Sequence, residues 1–251
     1  MVQVVVVTGG GAGMGLAITR WHRARGWQVV AVERDPDAAA ALGDDDGIHV
    51  VAGDVTAAGA LEDAIGKARE LGTLHAWVSN AAALGGRPLD ELDDEHMDRM
   101  LRTNISAVVA GTRLAVAEFT ATGIPGSVVA ISSVHARLGF AGHTLYDATK
   151  GAVEAMCRSV AAEVGHRGIR CNAVAPGAVL TQREVEARRA GPLPHEPIPL
   201  AMFSTPEEIA EVVGFLTSPA SAAVNGGVIR ADRGLSAVFA DEHWHSAAAR
   251  G

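Results

Sequence analysis

Val2-Gln3-Val4-Val5-Val6-Val7-Thr8-Gly9-Gly10-Gly11-Ala12-Gly13-Met14-Gly15 decides the fold. The valine run has no polar alternation, so it reads as a strand, Val2–Val7, buried on both faces. Glycines follow at once, and Gly13–Arg25 then carries helical spacing of its apolar residues. A helix that starts on a glycine turn aims backbone N–H groups into the turn, and these form an anion site. The glycines let the chain reverse tightly and let a diphosphate approach the backbone.

Outward from that unit, strand-like and helical patterns alternate. Val29–Val32, Ile48–Val51, Leu74–Val78, Ser127–Ile131, Ile169–Val174 and Val228–Ile229 read as strands. Ala57–Leu71, Asp93–Thr120, Thr144–His166 and Pro206–Leu216 read as helices. This alternation, with right-handed crossovers, predicts an α/β doubly wound parallel sheet of about seven strands, the Rossmann arrangement. A length of 251 residues suits a single domain over 1–251 that needs no metal or disulfide staple. Gly191–Pro199 holds four prolines, which forbid regular structure and suggest a substrate lid over about 183–205. The tail, about 240–251, is expected to fray.

A net charge of −8 argues against nucleic acid as the main partner. No basic leader precedes the valine run, and no stretch is long enough to span a bilayer, so a cytoplasmic setting without membrane contact is expected. Cys157 and Cys171 lack metal-ligand spacing and read as buried thiols. His243-Trp244-His245 reads as a surface tail, and no metal is expected.

Glu33 ends the second strand. A carboxylate there can accept both hydroxyls of the adenosine ribose, and it repels a 2′-phosphate. Arg34 beside it could pair with such a phosphate, but no second cation is near. NAD is therefore expected over NADP. Asp54, after the third strand, is placed either to accept from the adenine amino group or to cap the turn before Ala57.

Tyr146-Asp147-Ala148-Thr149-Lys150 carries the chemistry, with Ser132-Ser133 upstream. Tyr146 and Lys150 are four apart and share a helix face. A nearby ammonium favours the phenolate and lowers a tyrosine pKa from about 10, which suits proton transfer near neutral pH. A serine hydroxyl can hold the same substrate oxygen.

With the glycine cluster, Ser133, Tyr146 and Lys150 in this order, the chain resembles the short-chain dehydrogenase/reductase family in its one-domain form, from Val2 to about Leu235. Thr8, Gly9, Gly13 and Gly15 match the family's T-G-x-x-x-G-x-G. Asp54-Val55, Asn80-Ala81, Asn104, Asn172, Pro176-Gly177 and Thr181 match its later motifs. Ala82 stands where the family has glycine, and Asp232-Arg233-Gly234 replaces its D-G-G.

The resemblance implies an NAD-dependent oxidoreductase that moves a hydride between nicotinamide and a secondary alcohol or ketone. Tyr146 would be the general acid/base and Lys150 its activator and ribose ligand. Ser133 would orient the substrate, and Asn104 would hold a water leading to Lys150. Cofactor contacts are implied for Thr8, Gly9, Gly11, Gly13, Met14, Gly15, Glu33, Arg34, Asp54, Val55, Asn80, Ala81 and Ala82. Tyr146, Lys150, Pro176, Gly177, Val179 and Thr181 complete that set. A homo-oligomer, dimer or tetramer, is implied through the helices Asp93–Thr120 and Thr144–His166.

Substrate walls are expected from Ala83–Arg87, Val134–His143 and the proline-rich lid near His195. Arg87, Arg137 and His143 together suggest an oxygen-rich or anionic substrate. The alternatives are an NADPH-dependent ketone reductase and a non-catalytic dinucleotide-binding regulator. A hydrolase using Ser133 would need a G-x-S-x-G elbow, which is missing.

Overall fold

A computed structural model describes residues 2–43, 45–182, 184–186 and 203–237. Seven strands form one sheet: β1 (Gln3–Thr8), β2 (Gln28–Glu33), β3 (Ile48–Ala52), β4 (Thr73–Ser79), β5 (Ser127–Ile131), β6 (Arg170–Pro176) and β7 (Val228–Ala231). Their order is β3-β2-β1-β4-β5-β6-β7, and every neighbouring pair is parallel. The expected doubly wound sheet is present, with strand ends shifted by a residue or two.

The valine run explains the layering. Side chains alternate across a strand. Val4 and Val6 enter one core with Leu61 of α3 (Ala60–Leu71) and Phe119 of α5 (Ala107–Thr122), and Val153 of α6 (Thr144–Val164) joins them. Val5 and Val7 enter the opposite core with Ile18 of α1 (Gly13–Arg23) and Val213 of α7 (Pro206–Thr217). Both faces are covered by helices, so a polar residue at any of these valines would be buried without water.

Two helical expectations need correction. A short helix, α2 (Pro36–Ala40), follows β2, capped by Asp35 accepting from the backbone N–H of Asp37 at 3.0 Å. The single helix expected over Asp93–Thr120 is divided into α4 (Asp94–Leu101), a π-helical turn (Arg102–Ser106) and α5. Such a turn inserts a residue and re-aims its neighbours; here it carries Asn104 toward the loop after β4.

The order reverses between β1 and β4, since β1 leads outward to β2 and β3 while β4 starts the other half. Ligands of such sheets bind at this switch, beyond the strand carboxyl ends. The expected lid and His195 fall mostly outside the described residues, and the tail with His243 and His245 does so wholly. Among the described residues, no helix is long and apolar enough to cross a membrane. Cys157 and Cys171 are buried, unbridged and in contact; that contact and burial push the Cys171 thiol up.

Candidate active site

A cavity of about 900 Å³ opens at the switch. Volumes of roughly 300–1,000 Å³ are usual for small-molecule sites. Its floor is the turn after β1. Gly9 takes a left-handed φ of 63°, which a side chain would strain, and its N–H donates to the Val32 carbonyl at 2.8 Å. A Cβ on Gly15 would lie 1.8 Å from the Gly9 carbonyl oxygen, so only glycine lets α1 start this close to the turn. Gly9, Gly13 and Met14 line the cavity. Thr8, Gly11 and Gly15 do not; they shape the turn from behind. The Thr8 hydroxyl accepts from the backbone N–H of Asn80 at 3.0 Å and of Ala81 at 3.1 Å. Asn80 returns its amide to the Thr8 and Gly9 carbonyls, both at 3.0 Å.

Glu33, at the end of β2, is buried. Its carboxylate accepts from the backbone N–H of Gly11 at 3.0 Å, Arg34 at 2.9 Å and Asp35 at 3.1 Å. A carboxylate has about four acceptor positions, which leaves about one for a ligand rather than the two needed for both ribose hydroxyls. Arg34 pairs with Asp54 at 3.1 Å, and Asp54 also accepts from the Thr56 N–H at 2.8 Å and hydroxyl at 2.7 Å. Glu33, Arg34, Asp54, Val55, Asn80, Ala81 and Ala82 all face the cavity.

At the other end of the switch stand Ser133, Tyr146 and Lys150, with Pro176, Gly177, Val179 and Thr181 beside them. The Tyr146 phenol hydrogen-bonds Ser133, which lowers its pKa, but burial is the larger effect and pushes it up to about 12. This reverses the expectation of a phenol acidified by its neighbour. Lys150 is itself buried, its amine pushed down to about 8 by that burial. Its Nζ donates to the Ile131 carbonyl at 2.8 Å and stands 5.5 Å from the Tyr146 ring centre. Its hydrogen bond is directed at the sheet edge.

Asn104 does not line the cavity. Its Oδ1 accepts from the Ala83 N–H at 2.8 Å, and its Nδ2 donates to the Ala83 carbonyl at 3.0 Å and to the Thr149 hydroxyl at 3.2 Å. That side chain holds the loop after β4 against α6.

The three polar substrate candidates separate. His143 lines the cavity. Arg87 and Arg137 do not: Arg87 pairs with Asp93, and Arg137 with Glu154 at 3.3 Å. Each guanidinium was drawn to a carboxylate that linear spacing did not assign to it. The residue missed in the sequence is His135, which lines the cavity edge-on to Tyr146 with ring centres 5.1 Å apart. Its partner is Asp147, twelve residues away at 2.6 Å, a separation with no periodic signature. Among the described residues, no cluster of His, Cys, Asp and Glu could hold a metal ion.

A glycine turn at the sheet's switch, an acidic residue closing the second strand and a Ser–Tyr–Lys set across the cleft define a dinucleotide-dependent oxidoreductase. Residues 9–236 match the family described as "Enoyl-(Acyl carrier protein) reductase". The chain is 33% identical to "2-(S)-hydroxypropyl-CoM dehydrogenase 3" of Xanthobacter autotrophicus, over 94% of this chain and 97% of that one. It superposes on 3-ketoacyl-(acyl-carrier-protein) reductase from Brucella melitensis, complexed with NADH, with a TM-score of 0.83 and 25% identity over 93% and 98% of the two chains. A second structure, ElxO with NADP bound, gives a TM-score of 0.87 at 25% identity over 95% and 100%. The chain belongs to the short-chain dehydrogenase/reductase family, whose members are NAD(P)-dependent oxidoreductases acting on CH–OH groups.

Proposed function

We propose that this enzyme uses NAD to interconvert a secondary alcohol and its ketone, with Tyr146 as general acid/base. The observation that carries this reading is the convergence of Ser133, Tyr146 and Lys150 on the cavity floored by the glycine turn. The residues suit a dinucleotide: Gly9 and Gly13 leave the floor open, and Glu33 and Asp54 supply acceptors at the adenosine end. Bound nicotinamide supplies or accepts the hydride.

The protein's part is positioning and proton transfer. Ser133 donates to the substrate oxygen and fixes its direction. Tyr146 gives that oxygen a proton in reduction and removes one in oxidation. Lys150, close behind, supplies a charge that can turn toward the phenol when the cleft is filled. Asn104 holds Ala83, and with it the Asn80–Ala82 wall, at the right distance from α6.

Glu33 supports NAD over NADP. Its charge is fixed by three backbone N–H groups, so it cannot swing away from a 2′-phosphate. Arg34, the one residue favouring NADP, is tied to Asp54. A homo-oligomer is also proposed through α4, α5 and α6, a reading supported by the exposed apolar side chains Leu101 and Val109 on those elements. Sedimentation that finds only monomer would remove it.

The test is a panel of secondary alcohols with NAD, read at the reduced-cofactor absorbance, with fluorescence titrations of NADH and NADPH. Tyr146→Phe is expected to lower kcat by about a hundred-fold or more while leaving NADH affinity within a few-fold. Retained turnover in that variant would refute the role of the phenol, and tighter NADPH binding would refute the Glu33 argument.

A further inference from the structure

His135 belongs to no family motif noted above, yet its side chain is held on several sides in the cleft. It sits in the 3-10 turn Val134–Ala136 after β5. Its Nδ1 lies 2.6 Å from Asp147 Oδ1, and the other oxygen of Asp147 accepts from the Phe140 N–H at 3.1 Å. Phe140 stacks on the imidazole with ring centres 3.9 Å apart, and His143 approaches at 5.2 Å. The ring is thus held by a carboxylate hydrogen-bond partner, a stacking face and the edge of Tyr146. His135 also lines the cavity, which packing of its own loop does not require.

The chemistry of the exposed nitrogen follows from the held one. A carboxylate only accepts, so Asp147 places the proton on Nδ1. Burial, the largest effect on this imidazole, holds it below its ordinary pKa despite Asp147, so at neutral pH the ring is uncharged. Nε2 then presents a bare lone pair, for which the described residues offer no hydrogen bond. Water can reach that nitrogen in the open cleft, but a bound substrate that displaces the water must supply a donor in its place. A carbonyl or carboxylate oxygen would set lone pair against lone pair, whereas a hydroxyl satisfies it. With ring centres 5.1 Å apart, a hydroxyl held by this imidazole lies close to the oxygen that Tyr146 serves, as a hydroxyl on the adjacent carbon would.

We propose that His135, oriented by Asp147, accepts a hydrogen bond from a hydroxyl on the carbon next to the reacting one, and so selects hydroxy ketones and vicinal diols over their simple counterparts. This rests on the oxidoreductase reading above. The neighbouring hydroxyl is neither oxidised nor transferred. The carbonyl carbon takes a hydride from the reduced dinucleotide and its oxygen takes a proton from Tyr146, giving the diol and the oxidised dinucleotide.

The experiment compares acetoin with butanone as substrates of the full-length protein with NADH. The readout is the ratio of their kcat/KM values in wild type, His135→Phe and His135→Gln. The intrinsic difference between the two ketones is common to all three proteins and drops out of the comparison. Phenylalanine keeps the stack on Phe140 and removes the acceptor; it is expected to lower the acetoin-to-butanone ratio about ten-fold, the worth of one good hydrogen bond. Glutamine offers a carboxamide oxygen and is expected to recover part of the ratio. His135→Met serves as a second acceptor-free variant if phenylalanine does not fold. A ratio equal in wild type and the acceptor-free variants, or rates for both ketones that fall in parallel, overturns the proposal and makes His135 a packing residue. Wild type that binds no NADH and reduces neither ketone overturns the oxidoreductase reading itself, an outcome separable from the first by the binding arm.

Discussion

Arg34 Nη1 stands 3.1 Å from Asp54 Oδ2, joining the end of β2 to the turn after β3. Burial works to raise the Asp54 carboxyl, but hydrogen bonds from Thr56 and Arg34 outweigh it and hold the group below the ordinary carboxylate range. Among the described residues lining that end of the cavity, Arg34 is the cation that could welcome a 2′-phosphate, and the pair engages it. Asp54→Asn should release Arg34 and raise the NADP-to-NAD ratio of kcat/KM by up to about five-fold, since a half-exposed pair is worth up to about 1 kcal/mol. Steady-state kinetics with both cofactors checks this. An unchanged ratio would mean that Asp54 does not restrain Arg34.

The four contacts of the Asn104 amide make it a brace for the loop after β4. Asn104→Ala should therefore cost about 1–3 kcal/mol of stability in urea and weaken NADH binding, because the loop it holds lines the cleft. Asn104→Asp keeps the acceptor for Ala83 and should fall between. If Asn104→Ala lowered kcat alone, with stability and cofactor affinity intact, the result would favour the water-holding role implied by the family resemblance over the brace.

Much of this architecture was readable in the residues because its signals are local. Val4–Val7 and Val128–Val129 can only be strands buried on two faces, and the spacing of Tyr146 and Lys150 places them on one helical face. The π-helical turn at Arg102–Ser106 was not readable: it changes one hydrogen-bond register inside a continuous apolar pattern. Nor was α2, whose five residues carry no apolar periodicity. In the site, residue types were legible and partners were not. Arg87 and Arg137 looked like substrate ligands until Asp93 and Glu154 claimed them. The Tyr146 pKa failed for the same reason, since burial depends on what the rest of the chain packs around the ring.

Arg233 stands where the resembled family has glycine and takes a left-handed conformation that favours glycine, with φ at 49°. A Cβ in the left-handed region costs about 1–2 kcal/mol. The guanidinium reaches Glu208, whose carboxylate also completes the cap of α7. That exposed pair contributes up to about 1 kcal/mol. Arg233→Gly removes both effects and adds glycine's backbone freedom, a cost of about 0.5–1 kcal/mol, so the three offset to a net change of about 1 kcal/mol or less. Arg233→Ala keeps the strain and loses the pair, so it should be less stable than the glycine variant by about 1 kcal/mol. Urea unfolding of the two variants decides it; equal stability would show that the turn relaxes to ordinary backbone.

Tyr146 is the chain's one tyrosine, so its ionisation can be read from the pH-dependent phenolate absorbance with no other tyrosine contributing. Burial pushes it up to about 12, so the free protein should show no phenolate step until well above the ordinary value of 10.0. In urea the same residue should titrate near 10. Between those values the folded state holds a proton that the unfolded chain has lost, so this group's contribution to stability falls as pH rises. Lys150 acts in the opposite direction. Its amine is pushed from 10.5 to about 8, so the unfolded chain holds the extra proton in that window and stability rises with pH. Below pH 8 the buried amine is a net burden of up to about 3 kcal/mol. Lys150→Met should therefore be more stable than wild type at pH 7, with the gap closing toward pH 10.5. A phenolate step below pH 10 in the free protein, abolished by Lys150→Met, would instead show the ammonium acting on the phenol before any cofactor binds.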